Sequence, residues 1–290
     1  MATGSLDRAV VVTGASTGIG RAAVAKAVRE GAHVFASVRK QSDADGLSAE
    51  FGEAVTPLLF DVADEAGVRA GAERVAQALG NRRLFGLVNN AGIAVAGPLL
   101  YLDTEELRRQ FEINLFGVHN VTRAFTPLLG ADPDRQGAPG RIVMISSVGG
   151  QNGSPFVGPY SSSKFALEGY SQSLRRELLL FGVDVIVIGP GAIATPIWDK
   201  AEQNDLKRFS NTPYAKAIDR VLDYMLKQGR EGLPAGDVGD LVWHCLSDPK
   251  PKTRYPILRR PFMDRTLPQW LGPRAVDRIL AKRLGFPNRS

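Results

Sequence analysis

Cysteine is almost absent from this chain, which has 290 residues and a single cysteine, Cys245. One cysteine excludes an internal disulfide bond, and no residues are spaced like the ligands of a metal ion. A chain that folds without disulfides is typical of a reducing compartment, so we expect the protein to be cytoplasmic. Cys245 itself is expected to be a small, buried, apolar residue.

The sequence also lacks an uninterrupted apolar run long enough to cross a membrane. The most apolar segment, residues 178–198, contains Asp184 and a Gly189-Pro190-Gly191 turn. Its β-branched residues 185–188 favour a strand, so the segment is predicted to be a helix end, a strand and a loop. The first residues lead straight into a strand and lack the basic and then apolar layout of a signal peptide.

Length and composition fit one large α/β domain over residues 1–290. Apolar residues make up 44% of the chain and charged residues 23%, as in ordinary soluble globular proteins. The net charge of +6 is unevenly placed, because residues 250–290 hold eleven lysines and arginines and only two aspartates. The rest of the chain is therefore slightly acidic, and residues 259–290 form a basic C-terminal extension.

Strand and helix patterns alternate along the chain. Short apolar runs predict strands, and amphipathic segments predict the helices between them. This alternation is typical of a single Rossmann-type, doubly wound parallel sheet with helices on both faces, here with a C-terminal helical extension. The predicted strands are residues 9–13, 33–38, 54–60, 85–88, 141–146, 183–188 and 254–258. The predicted helices are residues 18–30, 65–79, 104–125 and 161–180, with an exposed loop at 132–140.

A glycine-rich turn joins the first predicted strand to the first predicted helix. Gly14, Gly18 and Gly20 permit a tight turn and a close approach of the backbone to a pyrophosphate, which would lie at the helix N-terminus. The alternative is a helix-entry turn without a ligand. Because a strand precedes the turn and a helix follows it, we favour nucleotide binding.

Ser147, Tyr160 and Lys164 indicate an active site. Tyr160 and Lys164 are four residues apart on a helical segment and so share one face. An ammonium group there is expected to lower the tyrosine pKa from about 10, which suits proton exchange with an alcohol or carbonyl. Ser147 follows the strand 141–146, at the edge where open α/β sheets bind ligands. The Tyr-x-x-x-Lys spacing alone is also common on surface helices.

Three further motifs occur in order along the chain: Asn89-Asn90-Ala91-Gly92 after the fourth strand, Asn114 within a helix, and Pro190-Gly191 with Thr195. Together with the glycine turn and the Ser-Tyr-Lys set, they resemble the motifs of the short-chain dehydrogenase/reductase family over residues 7–200. The resemblance implies an oxidoreductase that passes hydride between a nicotinamide cofactor and an alcohol or carbonyl carbon. It also implies a homodimer or homotetramer.

The resemblance implies a role for each matching residue. Tyr160 would be the general acid/base, Ser147 would bind the substrate oxygen, and Lys164 would lower the pKa of Tyr160 and bind the nicotinamide ribose. Asn114 would hold a water in a proton relay. Asp61 and Val62 would flank the adenine, and Ile193 and Thr195 would meet the nicotinamide. All the residues expected at the cofactor, besides Tyr160 and Lys164, are Gly14, Ser16, Gly18, Ile19, Gly20, Arg39, Asp61, Val62, Asn90, Ala91, Gly92, Pro190, Gly191, Ile193 and Thr195.

The end of the second strand bears on the choice of cofactor. Members of the family that bind NAD carry an acidic residue where Val38 stands, to bind the ribose 2′-hydroxyl. That acid is missing, and Arg39, which follows, can bind a 2′-phosphate with two hydrogen bonds. We therefore favour NADP(H), with NAD(H) as the alternative if Arg39 is only a solvated strand end.

Segments around Tyr160 are similar to those of 17β-hydroxysteroid and retinol dehydrogenases, namely Gly-Ser-Pro-Phe before it and Lys-Phe-Ala-Leu-Glu-Gly after it. That similarity implies a bulky apolar alcohol or ketone, such as a steroid, a retinoid or an aryl ketone. We take residues 196–236, which are polar and helix-prone, as a substrate-loop region. Its pocket would be lined by Phe156, Trp198, Phe209 and Tyr214, although simple packing explains each of them as well.

The basic extension allows two interpretations. Val276, Ile279, Leu280 and Leu284 share one helical face, with basic residues around the rest and Trp270 nearby. Such a helix can lie on an anionic membrane, or it can pack on the domain and keep its charges in water. We favour packing, and we expect no nucleic-acid partner because no recognition motif accompanies the charge. The two rival classes of function are a non-catalytic nucleotide-binding sensor and a membrane-surface protein.

Overall fold

The computed structural model describes residues 4–195, 206–262 and 270–286, except for the side chain of Lys207. The strands are β1 (Ser5–Val12), β2 (Ala32–Val38), β3 (Val55–Leu59), β4 (Gly86–Asn89), β5 (Arg141–Ile145), β6 (Asp184–Pro190), β7 (Ile193–Ala194), β8 (Leu233–Pro234) and β9 (Arg254–Ile257). The helices are α1 (Gly18–Arg29), α2 (Gln41–Phe51), α3 (Glu65–Leu79), α4 (Thr104–Phe111), α5 (Gly117–Thr126), α6 (Gly158–Glu177), α7 (Ala215–Arg230), α8 (Ala235–Ser247) and α9 (Pro273–Leu284).

Seven strands form one parallel sheet in the order β3-β2-β1-β4-β5-β6-β9. The direction of winding reverses between β1 and β4, which are neighbours in register from Val10 opposite Gly86 to Val12 opposite Val88. In doubly wound sheets the crevice at such a reversal, beyond the carboxyl ends of the strands, is where ligands bind. The segments that follow β1 and β4 therefore meet at the predicted cofactor site.

Alternate side chains of each strand enter two separate hydrophobic cores, one on each face of the sheet. Along β1, Ala9 and Val11 belong to one core, and Val10 and Val12 belong to the other. The first core includes buried residues of α3, α5 and α6, and the second includes residues of α1, α2 and α8. Because both faces are covered, the buried stretches of the central strands are almost continuously apolar, as in β1 from Ala9 to Val12 and in β5 from Ile142 to Ile145.

The predicted α/β fold is confirmed, with strand boundaries that differ from the predictions by at most four residues. The helix predicted over residues 104–125 is interrupted: α4 ends at Phe111, and a π-helical turn, Glu112–Phe116, separates it from α5. The helix predicted over 161–180 begins earlier, at Gly158, and ends in a 3₁₀ turn, Leu178–Phe181. Periodicity did not reveal the first interruption because a π turn adds only one residue to the helical repeat.

The sequence predictions omitted several elements. They contain neither α2 nor α8, and they gave no strand signal within residues 196–236, where β8 pairs with β7. Two-residue strands carry no periodicity, so they cannot be recognised from sequence. Within the same region, α7 fits the predicted helical tendency, whereas Trp198 lies outside the described residues. In the described part of the chain, no helix is both long enough and apolar enough to span a bilayer.

Helix α9 packs on the domain. Val276, Leu280 and Leu284 are half-buried, and the Leu284 carbonyl accepts a hydrogen bond of 2.9 Å from Arg220 of α7. Ile279, predicted to share that apolar face, is exposed instead. Trp270, just before the helix, has 79% of its surface exposed.

Candidate active site

The turn between β1 and α1 requires glycine at three positions, Gly14, Gly18 and Gly20. Gly14 and Gly18 have φ of +65° and +58°, in the left-handed region that favours glycine. A Cβ atom at Gly20 would lie 2.3 Å from the Gly14 carbonyl oxygen. At the start of α1, Thr17 makes no side-chain capping hydrogen bond, so the first amides of the helix point to the crevice without a capping partner. This arrangement fits the pyrophosphate of a dinucleotide.

The strand end at Asn90 holds this turn in place. The Asn90 side chain donates to the carbonyl oxygens of Thr13 and Gly14, at 2.9 and 3.1 Å. The Thr13 hydroxyl in turn accepts from the backbone amides of Asn90 and Ala91, at 3.0 and 3.1 Å. Thr13 is a site residue that the sequence predictions missed, although a polar residue between an apolar strand and a glycine turn is a usable signal.

Arg39, Asp61 and Val62 meet at the carboxyl ends of β2 and β3. The Arg39 guanidinium lies 3.6 Å from an Asp61 carboxylate oxygen, and 62% of the arginine side chain is exposed. Val62 is buried, and its carbonyl accepts a hydrogen bond from Asn120 on α5. The predicted adenine-side residues are therefore brought together. The exposed part of the Arg39 guanidinium can bind a second anionic group besides Asp61.

The nicotinamide-side segment folds back over the glycine turn. Gly191, which follows β6, donates a backbone hydrogen bond to Ile257 of β9. Ile193 is held in β7 by pairing with Leu233 of β8. The Thr195 side chain then lies against Gly18, since a Cβ atom there would be 3.2 Å from it. The third predicted segment thus reaches the same crevice as the other two.

Tyr160, Lys164 and Ser147 converge between β5 and α6. Tyr160 lies in the first turn of α6, and Ser147 follows β5 and accepts a 3.0 Å hydrogen bond from Gly149. Ser147 is also within hydrogen-bonding reach of the Tyr160 phenol. The Lys164 ammonium nitrogen lies 5.9 Å from the centre of the Tyr160 ring and donates a 2.7 Å hydrogen bond to the Ile145 carbonyl. The predicted catalytic group is therefore assembled in space.

The electrostatics of this group differ from the prediction in one respect. Burial raises the pKa of Tyr160, and the hydrogen bond with Ser147, which lowers it, is the smaller effect. Burial also lowers the pKa of Lys164 to about 8, partly opposed by the attraction of Glu168. The net shift of the Tyr160 pKa is therefore upward, whereas the sequence predicted a lowered pKa, because burial outweighs the interaction with Ser147.

Asn114 is buried in the π-helical turn, with its amide bonded to protein. Its oxygen accepts from the Ile93 amide at 2.9 Å, and its nitrogen donates to the Ile93 carbonyl and to Ser163, at 3.0 and 3.2 Å. The side chain therefore fixes the loop that follows Gly92. Gln110, one turn earlier, bonds to the same loop and was not predicted.

Apolar side chains gather around Phe156, four residues before Tyr160. Phe156 has φ of +63°, a strained value for a residue with a side chain, and its ring contacts those of Tyr214 and Phe286. Phe209, by contrast, is buried against Gly97. A narrow cavity of ≈ 20 Å³ lies beside Phe156 and beneath α7. It is lined by Ala96, Phe156, Leu206, Ile218, Val221, Leu222, Met225 and Leu226.

Comparison with known proteins agrees with this geometry. The family model described as short chain dehydrogenase matches residues 8–206. The NADPH-dependent 3-dehydrocapnine reductase of Ornithobacterium rhinotracheale is 37% identical over 280 residues, covering 96% of this chain and 97% of that protein. Dehydrogenase/reductase SDR family member 9 of Bos taurus is 38% identical, covering 86% of this chain and 79% of that protein.

Among solved structures, a short-chain dehydrogenase/reductase of Burkholderia phymatum in complex with NAD has a TM-score of 0.73 and 26% identity, over 98% of this chain and 96% of that one. The chain belongs to the short-chain dehydrogenase/reductase family. It is an oxidoreductase that acts on CH–OH groups with a nicotinamide cofactor.

Proposed function

We propose that this protein is an NADP(H)-dependent reductase that converts a bulky, apolar ketone or aldehyde to the alcohol, and catalyses the reverse reaction when the alcohol is in excess. The observation that carries the proposal is the convergence of Ser147, Tyr160 and Lys164 after β5, together with the apolar group around Phe156, which precedes Tyr160 by four residues.

The residues divide the chemistry between them. When bound, the nicotinamide cofactor supplies the hydride that adds to the carbonyl carbon. The Tyr160 phenol gives its proton to the carbonyl oxygen, and the Ser147 hydroxyl donates a hydrogen bond to the same oxygen. Ser147 is available because its own contact to the Pro190 carbonyl is long, at 3.5 Å. Lys164 holds positive charge beside the developing alkoxide and phenolate.

The names of the relatives support reduction as the direction. Three of them are named as reductases, of 3-dehydrocapnine, of 3-ketodihydrosphingosine and of 3-amino-tetrahydro-pyrrolizinone. Reduction requires a protonated phenol as donor, and Tyr160, whose pKa is raised by burial, is protonated at neutral pH as an unshifted tyrosine also would be.

NADP(H) is the favoured cofactor because Val38 stands where NAD binding would need an acid and the Arg39 that follows is exposed. The name of the 3-dehydrocapnine reductase points the same way, whereas the structural neighbour contains NAD. A double substitution, Val38→Asp with Arg39→Leu, should shift the ratio of kcat/KM towards NAD, because it adds a partner for the 2′-hydroxyl and removes one for the phosphate. Loss of a hydrogen bond to a charged group is worth about 1.5–3 kcal/mol. An unchanged ratio would mean that Arg39 does not recognise the phosphate.

Turnover of NADPH tests the function itself. Oxidation of NADPH should be followed with steroid, retinoid and aryl ketones and with the keto compounds named for the relatives, beside small polar ketones of matched reactivity. We expect kcat/KM to rise with the apolar size of the ketone. Preference for the small ketones would overturn the substrate class, and no turnover of any carbonyl would favour a nucleotide-binding sensor instead.

The remaining proposals concern partners and place. We propose a homo-oligomer, supported by exposed Phe116 and Phe165 on adjoining parts of the fold. We propose that the tail packs on the domain, since α9 bonds to α7 and Phe286 contacts Phe156. Sedimentation with anionic liposomes would reveal the membrane-surface alternative.

Cys245 is buried, which suits a reducing, cytoplasmic setting.

A further inference from the structure

A buried polar network joins the cofactor loop to the catalytic helix. Gln110, near the end of α4, has 0% of its surface exposed. A buried amide carries a desolvation cost unless its polar atoms are hydrogen-bonded. Both polar atoms of Gln110 are bonded, and all of their partners belong to the two segments that carry Asn90 and Tyr160.

The side-chain amides of Gln110 and Asn114 both form hydrogen bonds with the loop of residues 93–95. The Gln110 side-chain oxygen accepts from the Val95 amide at 2.7 Å, and its nitrogen donates to the Ile93 carbonyl at 2.9 Å. Asn114 binds both the amide and the carbonyl of Ile93. Residues 93–95 belong to no helix or strand and directly follow Asn90-Ala91-Gly92. Their position therefore depends on these side-chain bonds.

Ser163 connects these two amides to the backbone of the catalytic helix α6. Its hydroxyl accepts from the side-chain nitrogens of both Gln110 and Asn114, at 3.3 and 3.2 Å, and donates to the Tyr160 carbonyl at 2.8 Å. Ser163 is fully buried and directly precedes Lys164. The network therefore runs from the loop after the cofactor motif to the backbone of the proton donor.

We propose that Gln110 and Ser163 are positioning residues, which set the distance between the loop 93–95 and the Tyr160 end of α6. They touch neither substrate nor cofactor, and they act through Asn114 and the two backbone segments. Only the catalytic consequence rests on the proposed function. The hydrogen bonds that hold the loop can be measured without a substrate, through hydrogen exchange of the Val95 amide.

The matched variants are Gln110→Met, which keeps the length but removes every hydrogen bond, and Gln110→Glu, which keeps only the acceptor for Val95. The control is Gln172→Met, the same substitution at an exposed position of α6. Hydrogen exchange of the Val95 amide should accelerate in Gln110→Met and stay slow in Gln110→Glu. Unchanged exchange in Gln110→Met overturns the proposal, whatever the activity.

The catalytic consequence is a selective loss in the chemical step. A displacement of about 1 Å between reacting groups can cost on the order of 100-fold in rate, so we expect kcat to fall between about 10- and 100-fold in Gln110→Met. KM and the NADPH dissociation constant should change far less, and the isotope effect with deuterated NADPH should increase. Faster exchange at Val95 with an unchanged kcat would show a purely structural residue and overturn the positioning role.

Ser163→Ala provides the second test if Gln110→Met does not fold. It removes the hydroxyl that joins Gln110 and Asn114 to the Tyr160 carbonyl, but it leaves both amides bonded to the loop 93–95, so kcat should fall while Val95 exchange stays slow. In the double variant the two losses should be less than multiplicative, because both act through one network. Independent, fully multiplicative losses would overturn the proposed network. If wild type reduces no ketone, the proposed function fails, and the exchange data alone decide whether Gln110 holds the loop.

Discussion

Tyr160 is placed by three features of its surroundings. It lies in the first turn of α6, within reach of Ser147, and the Lys164 ammonium lies 5.9 Å from its ring centre. Lys164 is in turn followed, one turn on, by Glu168, which makes a buried ion pair with Arg254 at 3.1 Å. Burial has the larger effect on the Lys164 pKa and the attraction of Glu168 the smaller one, so the net shift is downward.

Removal of the phenol oxygen should separate chemistry from binding. In Tyr160→Phe, we expect kcat to fall by about 100- to 10,000-fold, the range that general acid–base catalysis contributes. NADPH affinity should stay close to that of wild type, because the glycine turn and Arg39 are untouched. Stopped-flow turnover and cofactor fluorescence titration measure the two quantities. Tyr224→Phe, at an exposed tyrosine, is the control, and substantial activity in Tyr160→Phe would refute the assigned role.

The depressed pKa of Lys164 should appear in the stability of the unliganded protein. Its pKa is about 8 when folded and 10.5 as a model value, so between these pH values the unfolded chain holds a proton that the folded chain has lost. The free energy of unfolding should therefore gain from this residue as pH rises from about 8 to 10.5. Urea unfolding from pH 7 to 10 should show a growing difference between wild type and Lys164→Met.

The wild type must be compared with Lys164→Met at each pH because Cys245 changes the free energy of unfolding with pH in the opposite direction. Burial raises its pKa to about 12 from 9.0, so its contribution to stability falls as pH rises through that window. Cys245 is present in both proteins, and its effect cancels. The exposed variant Lys216→Met serves as control, and a difference that stays flat with pH would contradict the burial of a lysine with a low pKa.

At the scale of elements, the cavity beside Phe156 connects the last two helices. Helix α7 forms one wall of this cavity, α9 packs on α7, and Phe286 contacts Phe156. A cavity of ≈ 20 Å³ holds little more than one water, so the proposed bulky substrate would fit there only if α7 or its side chains moved outward. Under that proposal, α9 would affect substrate entry through α7.

Deletion of residues 272–290 should consequently raise KM for apolar ketones more than it weakens NADPH binding. Phe286→Ala is the milder variant, and loss of one aromatic pair should lower the free energy of unfolding by about 0.5–1.5 kcal/mol, besides the area it exposes. Steady-state kinetics and cofactor titration of both proteins check this. Collapse of NADPH affinity would place the tail at the nucleotide site. Unchanged kinetics with lost liposome binding would support the membrane interpretation.

At the scale of the whole molecule, several large apolar side chains remain exposed. Phe116, with 52% of its surface exposed, lies in the π turn, and Phe165 is exposed on α6, which packs against that turn. Exposed aromatic residues on two adjoining elements support the proposed interface between subunits. The exposed Leu180 lies elsewhere, in the 3₁₀ turn after α6.

Phe116→Arg should therefore shift the protein towards monomer, because a charge on that surface would be buried without a partner in the assembly. Sedimentation velocity at micromolar concentration measures the change, and circular dichroism checks that the fold is kept. Leu180→Arg, an equally drastic change at another exposed apolar site, should leave the mass unaltered. If both variants sediment like wild type, the interface does not involve Phe116.

Much of this protein could be derived from the sequence because the deciding signals are local. Apolar runs and helical periodicity predict β1 to β6 and the helices between them except α2, since backbone propensity and burial act over a few residues. The glycine turn could be recognised because left-handed φ values demand glycine within one short segment. The spacing from Tyr160 to Lys164 needed only one helical turn.

Other properties arise from contacts between distant parts of the chain, which no local pattern carries. Gln110 and Ser163 are 53 residues apart, and Arg254 and Glu168 are 86 apart. The pKa of Tyr160 rises because packing buries it, a property of the assembled site and not of its neighbours in sequence. Only the tertiary structure decided these features, since burial and long-range hydrogen bonds exist only once the sheet and its helices have come together.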